Sequence, residues 1–319
     1  MAASLAARIR GAIFGAAVGD ALGHPTEFQS TETIRLIHGP DGVRGYALYW
    51  DGPDGRYAPF TDDTQMSECV LESLLAARAG GWDLDAAMED LSERFVRWSR
   101  EPRGGHRGPG NACLAGCRAL EGGAVWREAG GPTAGGCGSV MRAWPMGLVF
   151  WRDPVEAERW AVAQSLPTHR DPIALAASAA IAVGVAWILA DHPLPAVLRA
   201  MKDAAARYDQ RTAGMMGRAL AEAQGDAPVD DVLDRLRGWA AHEAIAAGLF
   251  LFVRFLEQPA EGLLAGANAP GDSDSLASIA GALLGAWHGI DALPPEWRAD
   301  VERPADLERL AAGVIALNE

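Results

Sequence analysis

The sequence predicts an all-α fold in one domain spanning residues 1–319. Three observations carry that reading. Helix punctuation recurs along the whole chain, with caps before apolar periodic runs and Gly or Pro after them, while strand alternation is almost absent. No internal repeat, low-complexity tract or polar linker separates two halves. The chain is 49% hydrophobic and 22% charged with a mean hydropathy near zero, a globular composition with ample material for a large core.

Taken in order, residues 4–22 read as an Ala/Gly-rich helix that ends near Gly23, with Pro25 beyond it. Arg8 and Arg10 before an apolar run faintly imitate a signal peptide, but the run is short, broken by Gly, and leads straight into Asp20. Residues 23–59 are rich in Gly and Pro and hold Tyr46, Tyr49, Trp50 and Tyr57, which suggests a long ordered loop beside a site. Met66, Val70, Leu71, Leu74 and Leu75 then mark one buried face of a helix that opens at Thr61-Asp62-Asp63. Residues 84–98 are amphipathic. The segment 102–110 is Gly-rich and basic through Arg103, His106 and Arg107, and it leads into a helix over 111–120. A second Gly-rich stretch, 135–142, opens a helix toward Phe150.

Helices follow over 154–164 and 172–190. The run from Ile173 reaches transmembrane length, but Ala dominates it and Asp171-Pro172 looks like an N-cap followed by Pro at the first helical position. A helix buried on all sides is the better reading. Shorter helices are expected over 195–207, 213–224 and 229–236, and a strongly apolar one over 240–256. Within 271–289, Ala277, Gly281 and Gly285 recur every four residues, a spacing that puts small residues on one face and permits close helix contact.

Charge and cysteine usage narrow the function. The net charge is −14, from 42 acidic and 28 basic residues, so the chain repels nucleic acid and anionic membrane. Cys69, Cys113, Cys117 and Cys137 lack metal-finger spacing, and reduced thiols in a cytoplasmic protein are the expectation.

The chemistry concentrates at two acidic helix starts. Thr61-Asp62-Asp63-Thr64 and Gly271-Asp272-Ser273-Asp274-Ser275 each set carboxylates and hydroxyls before an apolar helix. An isolated start of this kind is a cap whose acids favour the helix dipole. Two of them, brought together, form an oxygen-only ligand set suited to Mg²⁺ or Mn²⁺ and not to zinc. The two Gly-rich loops, each followed by a helix, offer backbone amides to a phosphate, without the lysine or preceding strand of a P-loop.

In combination these residues resemble the ADP-ribosylglycohydrolase family. The matching pieces are Gly15-Ala16-Ala17-Val18-Gly19-Asp20-Ala21-Leu22-Gly23 with Glu27, then Phe60-Thr61-Asp62-Asp63-Thr64, then Gly136-Cys137-Gly138-Ser139-Val140-Met141-Arg142 with Pro145, then Thr168-His169, and finally Gly271 to Ser275 running on through Ala280-Gly281-Ala282. The resemblance implies an orthogonally packed helical bundle around a dinuclear metal cleft, with two Mg²⁺ (or Mn²⁺) ions. It implies Thr61, Asp62, Asp63, Asp272, Asp274 and Ser275 as ligands, Ser275 standing where many relatives carry Thr. It implies Gly108, Gly110, Asn111, Gly138, Ser139, Met141 and His169 as residues of the substrate loops, and Glu27 beside the metals and the reacting ribose.

The implied reaction is hydrolysis at C1″ of ADP-ribose on a modified protein side chain, arginine-linked by preference, with ADP-ribose as product. Such a bond breaks through an oxocarbenium-like transition state. Glu27 or a metal-ligating Asp such as Asp62 takes the proton of the attacking water. Glu27 is expected in the chemical step, on a loop that closes with the substrate. The competing readings are a di-metal hydrolase of small ADP-ribosyl or nucleotide-like compounds and a non-catalytic member of the fold. All six implied ligands keep oxygen side chains, which argues against the last.

Overall fold

Backbone against backbone, the first long helix (Leu5–Gly23) lies on the late helix Ser273–His288. Gly11, Gly15, Gly19 and Gly23 form a ladder on the first helix, facing Gly285, Gly281, Ala277 and Asp274 in turn. A β-carbon at Gly15 would stand 2.2 Å from the Gly281 carbonyl oxygen, so nothing larger than hydrogen fits. The expected small-residue face of residues 271–289 is thus one half of this contact. It ties the two ends of the chain together and places the turn after the first helix beside the start of the late one.

The computed structural model describes residues 3–53 and 55–318. Among them are 17 α-helices and one antiparallel hairpin, Trp50–Gly52 with Gly55–Tyr57. The expected all-α class is therefore correct. Side chains of Thr61 and Asp171 cap their helices as the sequence indicates, and those of Ser4 and Asp83 cap theirs as well. Pro172–Leu189 is the one described helix long and apolar enough to cross a membrane, and it is buried in the middle of the bundle, against the helices Pro154–Ser165, Leu194–Ala206 and Trp144–Val149.

Several elements depart from the sequence expectation. Segment 23–59 is not one loop: it carries the helix Thr31–His38, capped by Ser30, and both strands of the hairpin. The helix shows one buried residue, Ile34, and the strands are three residues each, too little for a periodic signal. After Gly135-Gly136 comes a 3₁₀ turn, Cys137–Ser139, and the α-helix begins only at Trp144. Pro259–Ala267, Pro295–Asp300 and Pro304–Leu317 are helices that no periodic run marked, although each opens on the Pro-first signal that identified Pro172.

Candidate active site

The site grows from a buried carboxylate that was given no role in the sequence. Asp20 has no exposed surface. One of its oxygens accepts from the Thr61 amide at 2.9 Å, the other from the Thr64 amide at 2.9 Å and the Thr64 hydroxyl at 2.6 Å. Thr61 Oγ1 in turn accepts from the Asp63 amide at 3.3 Å. The first turn of the helix Asp62–Ala77 is thereby held rigidly from below. From the side, the Asp62 amide donates to the Arg107 carbonyl at 3.1 Å. Arg107 itself is buried, paired with Glu302, stacked 4.4 Å over Trp50, and donates to the Phe60 carbonyl at 2.6 Å. The basic segment 103–107 thus braces the acidic motif. The available signal for Asp20 was its isolation: it is the only acid in the helix Leu5–Gly23 and the only charged residue after Arg10 there.

The second acidic start is held differently. Asp272 makes no side-chain cap bond; its amide donates to the Arg237 carbonyl at 2.9 Å. Ser273 Oγ donates to the Gly23 carbonyl at 3.0 Å, and the Phe28 amide donates to the Gly271 carbonyl at 2.5 Å. These bonds fix Glu27, which lies between Thr26 and Phe28 directly after the 3₁₀ turn His24–Thr26. Glu27 is therefore preformed, not carried on a closing loop, because the turn continues the first helix and is pinned on both sides.

One carboxylate oxygen each from Glu27, Asp272 and Asp274 lie within 4.8 Å of one another. A β-carbon at Gly108, which has φ +64°, would stand 3.2 Å from a Glu27 oxygen and 3.6 Å from Asp62 Oδ1. Glycine here leaves both carboxylates room to face the cleft. Burial and neighbouring acids hold these groups toward the protonated form. Asp20 is pushed up to about 7 by burial and by Asp274, and Glu27 to about 8 by burial, Asp274 and Asp20. Asp62, Asp63 and Asp272 are raised well above the usual carboxylate range for the same reasons, burial first. Asp63 Oδ2 is buried with no hydrogen-bond partner among the described residues. An orphaned oxygen beside converging carboxylates fits a hard divalent cation, which would satisfy the oxygen and offset the repulsion.

Above the acids lies a cavity of about 670 Å³. Glu27, Asp62, Asp63, Gly108, Gly110, Asn111, Gly138, Met141, His169, Asp272, Asp274 and Ser275 line it. Thr61 and Ser139 do not. Thr61 is buried behind the wall as the cap, and Ser139 Oγ turns inward to Ser178 Oγ at 3.2 Å. Two aromatics the sequence reading passed over, Phe28 and Trp239, border the cavity and are 59% and 68% exposed.

An all-α bundle with an acid-floored, glycine-walled cleft defines a class of protein whose clustered carboxylates could hold a metal. The family model described as ADP-ribosylglycohydrolase matches residues 1–319, and the chain belongs to that family of ADP-ribosyl hydrolases. It is 27% identical to the ADP-ribosylarginine hydrolase Tri1 of Pseudomonas putida, over 95% of this chain and 76% of that one. It is 26% identical to the ADP-ribosyl-[dinitrogen reductase] glycohydrolase of Rhodospirillum rubrum, over 97% and 96% of the two chains. A solved structure, an ADP-ribosylglycohydrolase-related protein complex, superposes with a TM-score of 0.74 at 26% identity and covers 99% of both chains.

Proposed function

We propose that this protein is a metal-dependent hydrolase that cleaves the bond between C1″ of ADP-ribose and an arginine side chain of a modified protein, releasing ADP-ribose. The observation that carries this is the convergence of Glu27, Asp272 and Asp274 beside the orphaned Asp63 oxygen, at the floor of a cavity walled by glycines. Two Mg²⁺ or Mn²⁺ ions are held by Thr61, Asp62, Asp63, Asp272, Asp274 and Ser275, with Glu27 within reach of the same cluster. When bound, they supply charge neutralisation of the acids and orientation of the ribose hydroxyls.

The chain's own groups do the rest. The helix Asn111–Glu121 has no side-chain cap at Gly110, so its first amides are free for an anion, and with the 136–138 turn they take the diphosphate. Glu27 or Asp62, which both face position 108, accepts the proton of the water that attacks C1″. The C1″–N bond breaks as the C1″–O bond forms, and the departing guanidine takes up the proton that the carboxylate removed from the water, which restores the carboxylate.

Arginine as acceptor is supported by charge. A depression adjoining the cleft shares Phe28 and Trp239 with it and carries Glu32, Asp230, Asp231 and Asp234. Its two arginines, Arg35 and Arg237, are already paired with Asp230 and Asp234. A cationic acceptor segment suits that surface. The Pseudomonas putida relative, an ADP-ribosylarginine hydrolase, points the same way. The test is release of free ADP-ribose from proteins modified separately on arginine and on serine, with and without EDTA. Metal-dependent release from the arginine-linked substrate is expected; release from neither substrate sinks the proposal.

A further inference from the structure

We infer that Thr168, held by the buried guanidinium of Arg142, fixes His169 as the neutral tautomer with its proton on Nε2, so that the cleft presents a hydrogen-bond donor to an acceptor oxygen of the ligand beside the 136–138 turn. The inference rests on the ADP-ribosyl reading of the cleft and adds which residues set the donor.

The argument is an accounting of one hydroxyl proton. Thr168 Oγ1 accepts from Arg142 Nη2 at 2.7 Å and lies 2.7 Å from His169 Nδ1. Arginine carries no acceptor, so that bond has one direction only. The hydroxyl proton then has two destinations: His169 Nδ1, or the Ser165 carbonyl at 3.5 Å. The Ser165 carbonyl already accepts from the Thr168 amide at 3.0 Å and the His169 amide at 2.7 Å, which uses both of its lone pairs. The proton therefore goes to Nδ1. A nitrogen that accepts carries no proton, and a neutral imidazole must then carry its proton on Nε2.

The imidazolium is disfavoured independently. Nδ1 would have to donate into the same oxygen that the guanidinium occupies, leaving the hydroxyl proton with the filled carbonyl. Burial and the Arg142 charge both push His169 down, to about 3. Arg142 has no exposed surface and no carboxylate within ion-pair distance among the described residues. Its nitrogens go to Gln164 Oε1 at 3.0 Å, the Gly138 carbonyl and Thr168, and its guanidinium lies 4.5 Å over Phe95. One buried cation thus holds the carbonyl of the glycine turn and the hydroxyl behind the histidine.

The other side of the ring faces the cleft. Nε2 would lie 3.3 Å from a β-carbon at Gly138 and 3.6 Å from one at Gly136, so the absence of side chains there leaves it room. No hydrogen bond among the described residues engages it. Phosphate and ribose oxygens of an ADP-ribosyl group are acceptors, which an Nε2–H matches. Thr168 and Arg142 act as positioning residues: they touch no ligand and work through His169.

The experiment uses the full chain labelled with ¹⁵N-histidine. In the ligand-free wild type at neutral pH, His169 should show a pyridine-type Nδ1 and a pyrrole-type Nε2. Thr168→Val keeps the shape and removes the donor; His169 should move to a mixture of tautomers, and the Kd for ADP-ribose should rise about 10-fold, as for loss of one hydrogen bond. Thr168→Ser should restore both readouts, which lost packing alone would not predict. An Nδ1-protonated or doubly protonated His169 in the wild type overturns the inference, and that spectrum decides even if Thr168→Val does not fold. Unchanged spectrum and Kd in Thr168→Val overturn it as well. A wild type with the expected tautomer that binds no ADP-ribose instead fails the functional reading.

Discussion

The two acidic helix starts look alike in sequence and are built by different forces. At Asp62–Ala77 every early amide is spoken for: Thr61 and Thr64 bond the buried Asp20 carboxylate, and Asp63 bonds the Thr61 hydroxyl. At Ser273–His288 the cap residue Asp272 makes no side-chain cap bond, and the start is located by helix packing along the glycine ladder, by backbone bonds to Gly271 and from Asp272, and by one neutral side-chain bond from Ser273 to the Gly23 carbonyl. The first start is held by charge-assisted hydrogen bonds, the second by shape. The acids of the first are therefore aimed by local chemistry, and those of the second depend on a contact between residues at the two ends of the chain, as in Ser273 to Gly23, 250 positions apart.

Breaking the packing should have the largest effect. Gly15→Val or Gly281→Val puts side-chain carbon into the partner's backbone, 2.2 Å or less from a carbonyl oxygen in each case. Backbone on both sides leaves no side chain to yield, so we expect a loss of roughly 3 kcal/mol or more, the upper end of overpacking costs. Thermal melting and urea titration measure it. A well-folded Gly281→Val protein with unchanged Tm would refute the ladder as the second start's support.

Next in size is loss of the acids themselves. Asp62→Asn and Asp274→Asn should each retain the far-ultraviolet circular dichroism of the wild type while ADP-ribosyl hydrolysis falls by about 10²-fold or more. Isothermal titration with Mn²⁺ should show weakened binding in both. The comparison sharpens if the two variants fall together, since acids held by unlike means then serve one cluster. Full activity in either variant removes that acid from the site.

What was legible in the sequence follows the same division. Local signals were readable: Thr61 as cap, the acids in the first turn, Asp171-Pro172 at the buried helix, and the four-residue spacing of Ala277, Gly281 and Gly285. The contacts that join distant segments were not. Asp20 carries no local mark of its partners Thr61 and Thr64, 41 and 44 residues away. Thr26 reaches the Ala267 carbonyl at 2.6 Å, which no periodicity records. Glu27 looked like the start of a loop because its anchors, through Phe28 to Gly271, lie at the far end of the chain. Ser139 read as a loop hydroxyl facing a ligand and instead meets Ser178 on the buried helix Pro172–Leu189.

The smallest expected effect tests the contrast most directly, by removing one hydroxyl from each start. Thr64→Val is isosteric and deletes the 2.6 Å bond from Thr64 Oγ1 to Asp20. That bond runs to a fully buried carboxylate, whose second oxygen then keeps only the Thr64 amide. Bonds to charged groups contribute about 1.5–3 kcal/mol, a range that applies above about pH 7 where Asp20 is ionised, and the remaining carboxylate oxygen has no water to replace the hydroxyl. Ser273→Ala deletes a 3.0 Å bond to the Gly23 carbonyl, a neutral pair. Thr26 Oγ1 lies 2.8 Å from the same carbonyl and 2.6 Å from the Ala267 carbonyl, so its one proton can be shared between the two. The loss there should be about 0.5–1 kcal/mol, the lower part of the range for neutral bonds. Urea unfolding with equal m-values for the two variants gives the comparison cleanly. If Ser273→Ala costs as much as Thr64→Val, the second start depends on hydrogen bonding as the first does, and the distinction between charge-held and shape-held acids fails.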